Sequence, residues 1–250
     1  MWFGVITLFP ELFEAFTRYG VIGRAFENQH LHIQFWNPRD FTTDIHHTVD
    51  DRPFGGGPGM VMKVEPLLAA IQAAREASPS GRPKVVYLSP QGELLTQAKL
   101  QRSIQQQDYI FIAGRYEGID ERLITVAVDE EWSIGDYVLS GGELPVMVCM
   151  EALARLLPKV LGDSESAQQD SFSTGLLDYP HYTRPKIVEG LTVPEVLCSG
   201  DHKLIARWRL KMQLGRTLLR RPTLINERNL HNSEKVLLQE FIDENYREEE

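Results

Sequence analysis

The stretch Ser133-Ile134-Gly135-Asp136-Tyr137-Val138-Leu139-Ser140-Gly141-Gly142-Glu143 sets three glycines, two serines and two carboxylates among four apolar side chains. Glycine admits positive φ and lets a backbone approach another group closely. A plain surface turn uses the same glycines, but it rarely gathers Ile134, Tyr137, Val138 and Leu139 as well. The segment therefore reads as a ligand loop, with a greasy wall and main-chain groups suited to a flat aromatic ligand.

Two further segments share this build. Residues 84–88, Lys-Val-Val-Tyr-Leu, make a β-branched and aromatic strand that runs into the turn signal Ser89-Pro90-Gln91-Gly92. Residues 109–113 make a second buried-type strand, ending in Gly114-Arg115-Tyr116-Glu117-Gly118-Ile119-Asp120-Glu121-Arg122. A third strand is expected over residues 123–128, leading through Asp129, Glu130, Glu131 and Trp132 into the opening loop. An open α/β sheet binds ligands in this way, at the C-terminal ends of its strands. Neither G-x-G-x-x-G nor G-x-x-x-x-G-K-[ST] occurs, which sets aside the usual dinucleotide and P-loop sites.

These motifs closely resemble those of the TrmD family, the bacterial tRNA (guanine-N1)-methyltransferases. So do Asp50-Asp51-Arg52-Pro53-Phe54-Gly55-Gly56-Gly57-Pro58-Gly59-Met60, His181-Tyr182-Thr183-Arg184-Pro185 and the region of Trp208-Arg209-Leu210. The likeness runs from Met1 to about Arg221. It implies an α/β fold of the SPOUT methyltransferase class: a parallel-sheet domain tied in a trefoil knot that holds S-adenosylmethionine, followed by a small helical C-terminal domain. Knots are rare exceptions to ordinary chain topology, and no periodicity reveals one.

The ligand loops and the resemblance together assign the cofactor to Tyr87, Leu88, Ser89, Pro90, Gly114, Tyr116, Glu117, Ser133, Ile134, Gly135, Asp136, Tyr137, Val138, Leu139, Gly141, Gly142 and Pro145. The implied substrate is tRNA, methylated on N1 of the guanosine immediately 3′ of the anticodon (position 37). That nitrogen carries a proton and is a poor nucleophile, so a base must remove the proton and a donor should stabilise charge on O6. Asp170 matches the family's general base; by itself, an Asp ahead of Ser171-Phe172 also reads as a helix N-cap. Arg155 matches the family's arginine; a charge beside Leu153, Ala154, Leu156 and Leu157 needs a partner or must snorkel. Gly59, Asp178, His181, Arg184, Arg209, Arg216 and Arg220 are the expected tRNA contacts. Where Tyr179 stands, the family commonly has a cysteine. Competing readings are a related enzyme acting on ribose or another RNA base, and a non-catalytic RNA-binding module.

Composition is ordinary for a soluble globular protein, at 250 residues, 42% hydrophobic and 24% charged, and the cysteine usage fits a cytoplasmic setting. Cys149 and Cys198 are isolated, without zinc or disulfide spacing. The apolar start, Met1 to Pro10, lacks a basic lead and stops at proline, so it reads as a strand and not as a signal or membrane span. No metal-ligand spacing is present; a magnesium requirement is suggested by the resemblance alone. The net charge of −9 argues against a general nucleic-acid coat, yet residues 202–226 hold seven Lys or Arg and no acid.

Helices are expected over residues 65–76, 143–157 and 201–221. The second is apolar almost all round and must be covered on every side, which with the family resemblance points to a homodimer. On the third, Leu204, Ile205, Trp208, Met212, Gly215, Leu218 and Leu219 share one side, and Arg209, Gln213, Arg216 and Arg220 another. The polar texture of residues 162–175 marks a mobile linker, dividing the chain into 1–161, 162–175 and 176–250.

Overall fold

Side chains alternate across every strand of a parallel sheet and so sort the core of the N-terminal unit into two halves. The sheet has the order β2-β1-β6-β5-β7, from β1 (Trp2–Ile6), β2 (His32–Trp36), β5 (Lys84–Leu94), β6 (Asp108–Ile112) and β7 (Glu130–Ser133). On one face Phe3, Val5, Val86, Leu88, Tyr109, Phe111 and Trp132 pack together; on the other lie Trp2, Ile6, Val85, Tyr87, Ile110 and Ile112. Rings line the first face in sequence: Phe3 to Phe111 at 6.0 Å, Phe111 to Tyr109 at 5.4 Å and Tyr109 to Trp132 at 5.7 Å between centroids. The computed structural model describes residues 1–162 and 170–246. It forms two compact units, Met1–Ser164 and Glu165–Glu250.

Helices α1 (Glu14–Arg18) and α2 (Gly20–Glu27) follow β1, and α3 (Val64–Ala77) covers the second face with Leu67, Ala70, Ile71 and Ala74. A short antiparallel pair, β3 (Asp50–Asp51) and β4 (Val61–Met62), brackets the glycine-rich loop 52–60. Helix α4 (Gln97–Ser103) starts at Thr96, whose hydroxyl accepts from Lys99 N. Helix α6 (Glu143–Ala154) covers the first face with Val146, Cys149, Met150 and Leu153.

Three expectations are corrected. Residues 123–128 are no strand: α5 (Glu121–Ala127) is a helix, and the strand is β7, further on. Asp120 caps α5 by accepting from Arg122 N, and Leu123 and Ala127, one helical turn apart, are buried while Val126 is exposed. Capping and a one-sided core outweigh the β-branched run. Residues 89–92 do not end β5; they bulge, so that Leu88 and Glu93 both face Trp132 before Leu94 pairs with Ser133. Gly92 makes this possible, because a Cβ there would lie 2.5 Å from the backbone of Glu131 and Trp132. Helix α6 stops at Ala154, three residues early; within the single chain Leu144 and Val148 stay exposed.

The second unit holds the hairpin β8 (Ile187–Val188) and β9 (Leu191–Thr192), turned by Glu189 and Gly190 at positive φ, then α7 (Glu195–Cys198), α8 (His202–Arg220), α9 (Pro222–Asn226) and α10 (Asn232–Tyr246). Asp201 caps α8, accepting from Lys203 N and Leu204 N. The packed face of α8 is Leu210, Leu214, Thr217 and Leu218, against Leu176, Ile225 and Leu237. The apolar side expected from spacing is therefore rotated; Leu204 and Leu219 are exposed, whereas Gly215 is tightly packed because any Cβ would strike the Phe241 ring. The basic run also has acid partners after all: Arg207 meets Glu240 at 2.6 Å and Lys211 meets Glu244 at 2.6 Å, both across to α10. Residues 163–169 of the expected linker lie outside the described residues.

A cation–carboxylate cluster closes the edge of the sheet. Glu130 meets Lys84 at 2.5 Å and Lys99 at 3.3 Å, and accepts from Trp132 Nε1 at 2.7 Å. Burial alone would push its carboxyl up; the bonds from Lys84, Trp132 and Lys99 outweigh burial and hold it at about 2, against an ordinary 4.5. A depressed carboxyl stabilises the fold above its unfolded value and stops doing so as pH falls through the folded one. Glu130→Gln should thus flatten the loss of stability between pH 4.5 and about 2, measured by denaturant unfolding across that range. An unchanged acid limb would mean the cluster contributes nothing.

Candidate functional site

The cleft lies where β6 and β7 deliver their C-terminal ends beside the bulge that interrupts β5. Each of the three has a chemical reason to be open: the bulge after Leu88, Gly114 after β6, and the loop 134–142 after β7. The lining comprises Tyr87, Leu88, Ser89 and Pro90 from the first, 114–118 from the second, and Trp132 to Gly135 with 137–142 and Pro145 from the third. The structure brings together every expected cofactor residue except Asp136, which is exposed on the loop without lining the cleft. Walls of Leu88, Ile134, Val138, Leu139 and Pro145 are apolar, and Glu117 is the one carboxylate among the lining residues.

Backbone closeness is what the glycines supply, though the groups approached are the protein's own. A Cβ on Gly114 would lie 2.8 Å from the Tyr87 ring, and one on Gly142 would lie 2.6 Å from Ala113 Cα. A Cβ on Gly141 would strike Arg115 at Nε. Tyr87 is mostly buried, and burial pushes its phenol upward, so it serves as an aromatic wall and not as an acid. Tyr116 sits at φ +59°, a left-handed conformation; burial and the neighbouring Asp50 carboxylate raise its phenol.

Arg115 and Glu143 form the contact that spacing could not reveal. Glu143, 1% exposed at the start of α6, receives Arg115 Nε at 3.1 Å and lies 2.9 Å from Arg115 NH2. Thr7 Oγ1 donates to the same carboxylate at 2.9 Å, and Arg115 also reaches the Ser140 carbonyl at 3.3 Å and the Phe9 ring at 4.6 Å. The helix N-terminus favours a carboxylate in that position. Arg115, Gly118, Trp132 and Ser140 also line the cleft without having been singled out from sequence. A charge embedded in a glycine loop, and a carboxylate opening an apolar helix, were the available signals.

The expected tRNA contacts fall in two places. Gly59, at φ +82°, abuts Glu117 so closely that a side chain there would collide with the carboxylate, and Glu117 N donates to Met60 O at 3.0 Å. In the second unit Tyr179 gathers three others: its ring lies 4.7 Å from that of His181 and 4.7 Å from the Arg209 guanidinium, and its N–H donates to Asp178 at 2.7 Å. Asp178 also meets His181 at 2.8 Å. Arg184 and Arg220 are exposed and Arg216 is half-buried. Asp170 opens a turn, with Ser173 N donating to its carbonyl at 3.2 Å, so it caps no helix. Arg155 stands at the C-terminal cap of α6, outside the cleft lining. Among the described residues no His, Cys, Asp or Glu cluster could hold a metal ion, and no helix is long and apolar enough to cross a membrane.

The family model of tRNA (Guanine-1)-methyltransferase TrmD matches residues 1–227. A tRNA (guanine-N(1)-)-methyltransferase of Aeromonas hydrophila subsp. hydrophila is 61% identical, over 98% of this chain and 98% of its own. One from Coxiella burnetii is 61% identical over 96% of this chain and 97% of its own, and one from Aliivibrio fischeri 58% identical over 98% of both. The chain belongs to the tRNA (guanine-1)-methyltransferase family.

Gly141→Val should force Arg115 away from Glu143 and abolish S-adenosylmethionine binding in calorimetry, with circular dichroism unchanged. Undiminished affinity would remove this loop from the cofactor site.

Proposed function

We propose that this tRNA (guanine-N1)-methyltransferase binds S-adenosylmethionine in the glycine-walled cleft and modifies the guanosine immediately 3′ of the anticodon, position 37. The observation that carries the reading is the convergence of two strand ends and the β5 bulge on one cleft with apolar walls and a single lining carboxylate. A flat adenine suits the wall of Leu88, Ile134, Val138, Leu139 and Pro145, and Glu117 can balance the cofactor's positive charge. The trefoil knot belongs to this reading, as the family's way of tying these loops together.

S-adenosylmethionine supplies a methyl group already on an activated leaving group. The chain's task is to prepare N1 and hold it in line, about 3–3.5 Å from the methyl carbon. Asp170 takes the N1 proton as general base, leaving the ring's negative charge towards O6, where Arg155 stabilises it. With that proton gone, the N1 electron pair would be free to take the methyl group as its bond to the sulfonium sulfur breaks, the neutral thioether leaving with the bonding pair.

A homodimer completes the arrangement. Leu144 and Val148 are exposed on α6, and Glu151 and Arg155 continue the same stripe at i+7 and i+11. A second copy laid on this stripe buries the two apolar side chains and takes Arg155 into the interface, and the segment bearing Asp170 serves the other copy's cofactor. The Tyr179 cluster with Arg184, Arg216 and Arg220 receives tRNA phosphates and bases. The setting is the cytoplasm, consistent with a tRNA substrate and with Cys149 and Cys198 both free. No magnesium step is included.

Asp170→Ala should bind tRNA and cofactor normally but lose about 10²–10⁴-fold in turnover; near-normal turnover would move the base to Asp178 or Glu117. Arg209→Ala with Arg216→Ala should instead weaken tRNA binding and flatten its salt dependence, with cofactor affinity untouched. In sedimentation at micromolar concentration the protein should run as a dimer and Val148→Glu should dissociate it. A stable, active monomer would end the composite-site idea.

A further inference from the structure

The loop 52–60 has its tip in water and its last glycine against Glu117, which lines the cleft. Its base is pinned: Asp50 pairs with Met62 and Asp51 with Val61, Met62 N donates to Gly118 O at 2.9 Å, and Asp120 N donates to Met62 O at 3.1 Å. Gly59 is wedged against Glu117, a cleft residue. The tip is the opposite. Gly55, Gly56 and Gly57 all have positive φ and open space around them, and Phe54 is 99% exposed. A pinned base and an open run of glycines leave a large apolar ring in water, on the same loop whose other end abuts a cleft residue.

We propose that Phe54 is a wedge that takes the stacking place of the target guanine when that base leaves the anticodon loop for the cleft. The inference rests on the proposed base methylation and adds the device that delivers the base. A guanine stacked in a loop does not present N1 to a cofactor held in a pocket, so it must be swung out, with loss of stacking. Apolar side chains inserted between bases offset such losses in other nucleic-acid proteins, and a base stacks on any aromatic face irrespective of its identity. Phe54 lies three residues past β3, so its ring reaches up to about 10 Å beyond the hairpin base, the span of a few stacked nucleotides. Arg52, exposed on the same loop, is placed for an adjoining phosphate.

The probe is an anticodon stem-loop RNA carrying 2-aminopurine in place of the target guanosine, mixed with full-length protein and S-adenosylmethionine. Wild-type protein should raise its emission as the base unstacks; Phe54→Ala should raise it little, and Phe54→Tyr should restore the rise. On natural tRNA, Phe54→Ala should lower kcat/KM about five- to hundredfold, with cofactor affinity and sedimentation unchanged. Since the ring is almost wholly exposed, its removal leaves the fold in place. Equal emission and equal kcat/KM for wild type and Phe54→Ala would overturn the wedge, as would wild-type methylation without any rise in emission. Dissociation of the dimer by Phe54→Ala would also overturn it and assign the ring to an interface between copies. Failure of the underlying reading is separately visible: nucleoside digestion of wild-type product would then show no N1-methylguanosine.

Discussion

A buried carboxylate at the start of α6 constrains everything around it. Glu143 is sealed from water and is held by Arg115 from the loop after β6 and by Thr7 from the end of β1. A sealed pair of this kind is not by itself a gain in stability, but removing one partner strands the other charge and costs about 3–5 kcal/mol. The contact acts mainly as a specification. It sets the C-terminal ends of two strands against the N-terminus of the covering helix, and it draws Ser140 and Gly141 in with the Arg115 side chain. The cleft is the space left over when those ends are pinned.

The second unit divides its cations between two tasks. Arg207 and Lys211 hold α8 to α10 through Glu240 and Glu244, whereas Arg209 lies against Tyr179 beside His181. Bare counting of positive charge along α8 therefore overstates what an RNA backbone meets. The side chains that remain on the Tyr179 side combine a planar cation, two rings and an acid–imidazole pair. Such a surface suits unstacked bases at least as well as phosphates.

Much of this was legible in the chain. Strand β1 announced itself by its apolar run, β5 and β6 by β-branched, aromatic and buried-type content, α3 and α8 by helical spacing, and the cleft by glycines set among large apolar residues. Misreadings came from local signals overruled by long-range ones. Residues 123–128 look like a strand until Asp120 caps them into a helix and one side finds the sheet. Ser89 to Gly92 look like a terminus until Gly92 lets the strand pass Trp132 and resume. The buried face of α8 was set a fraction of a turn away because its partner, Phe241, is far along the chain. Nothing local could show that Arg115 would choose Glu143, 28 residues on, since opposite charges at that separation are commonplace. The jump from motifs to a methyltransferase came from the family likeness, not from periodicity.

Strand order has a consequence for how the enzyme comes into being. The strand made first, β1, sits between β2 and β6, and β5 waits between β6 and β7, the last strand made. Parallel neighbours need long crossovers, and such non-local pairing is slow to form. During synthesis, a nascent chain that has emerged only as far as β6 lacks the edge strand β7, the loop after it and the helix carrying Glu143. The cleft is not yet formed in it, and the face that α6 will cover is bare. The cleft and the finished core therefore arrive together, late in translation of the first unit, so that a formed cleft reports a completed fold.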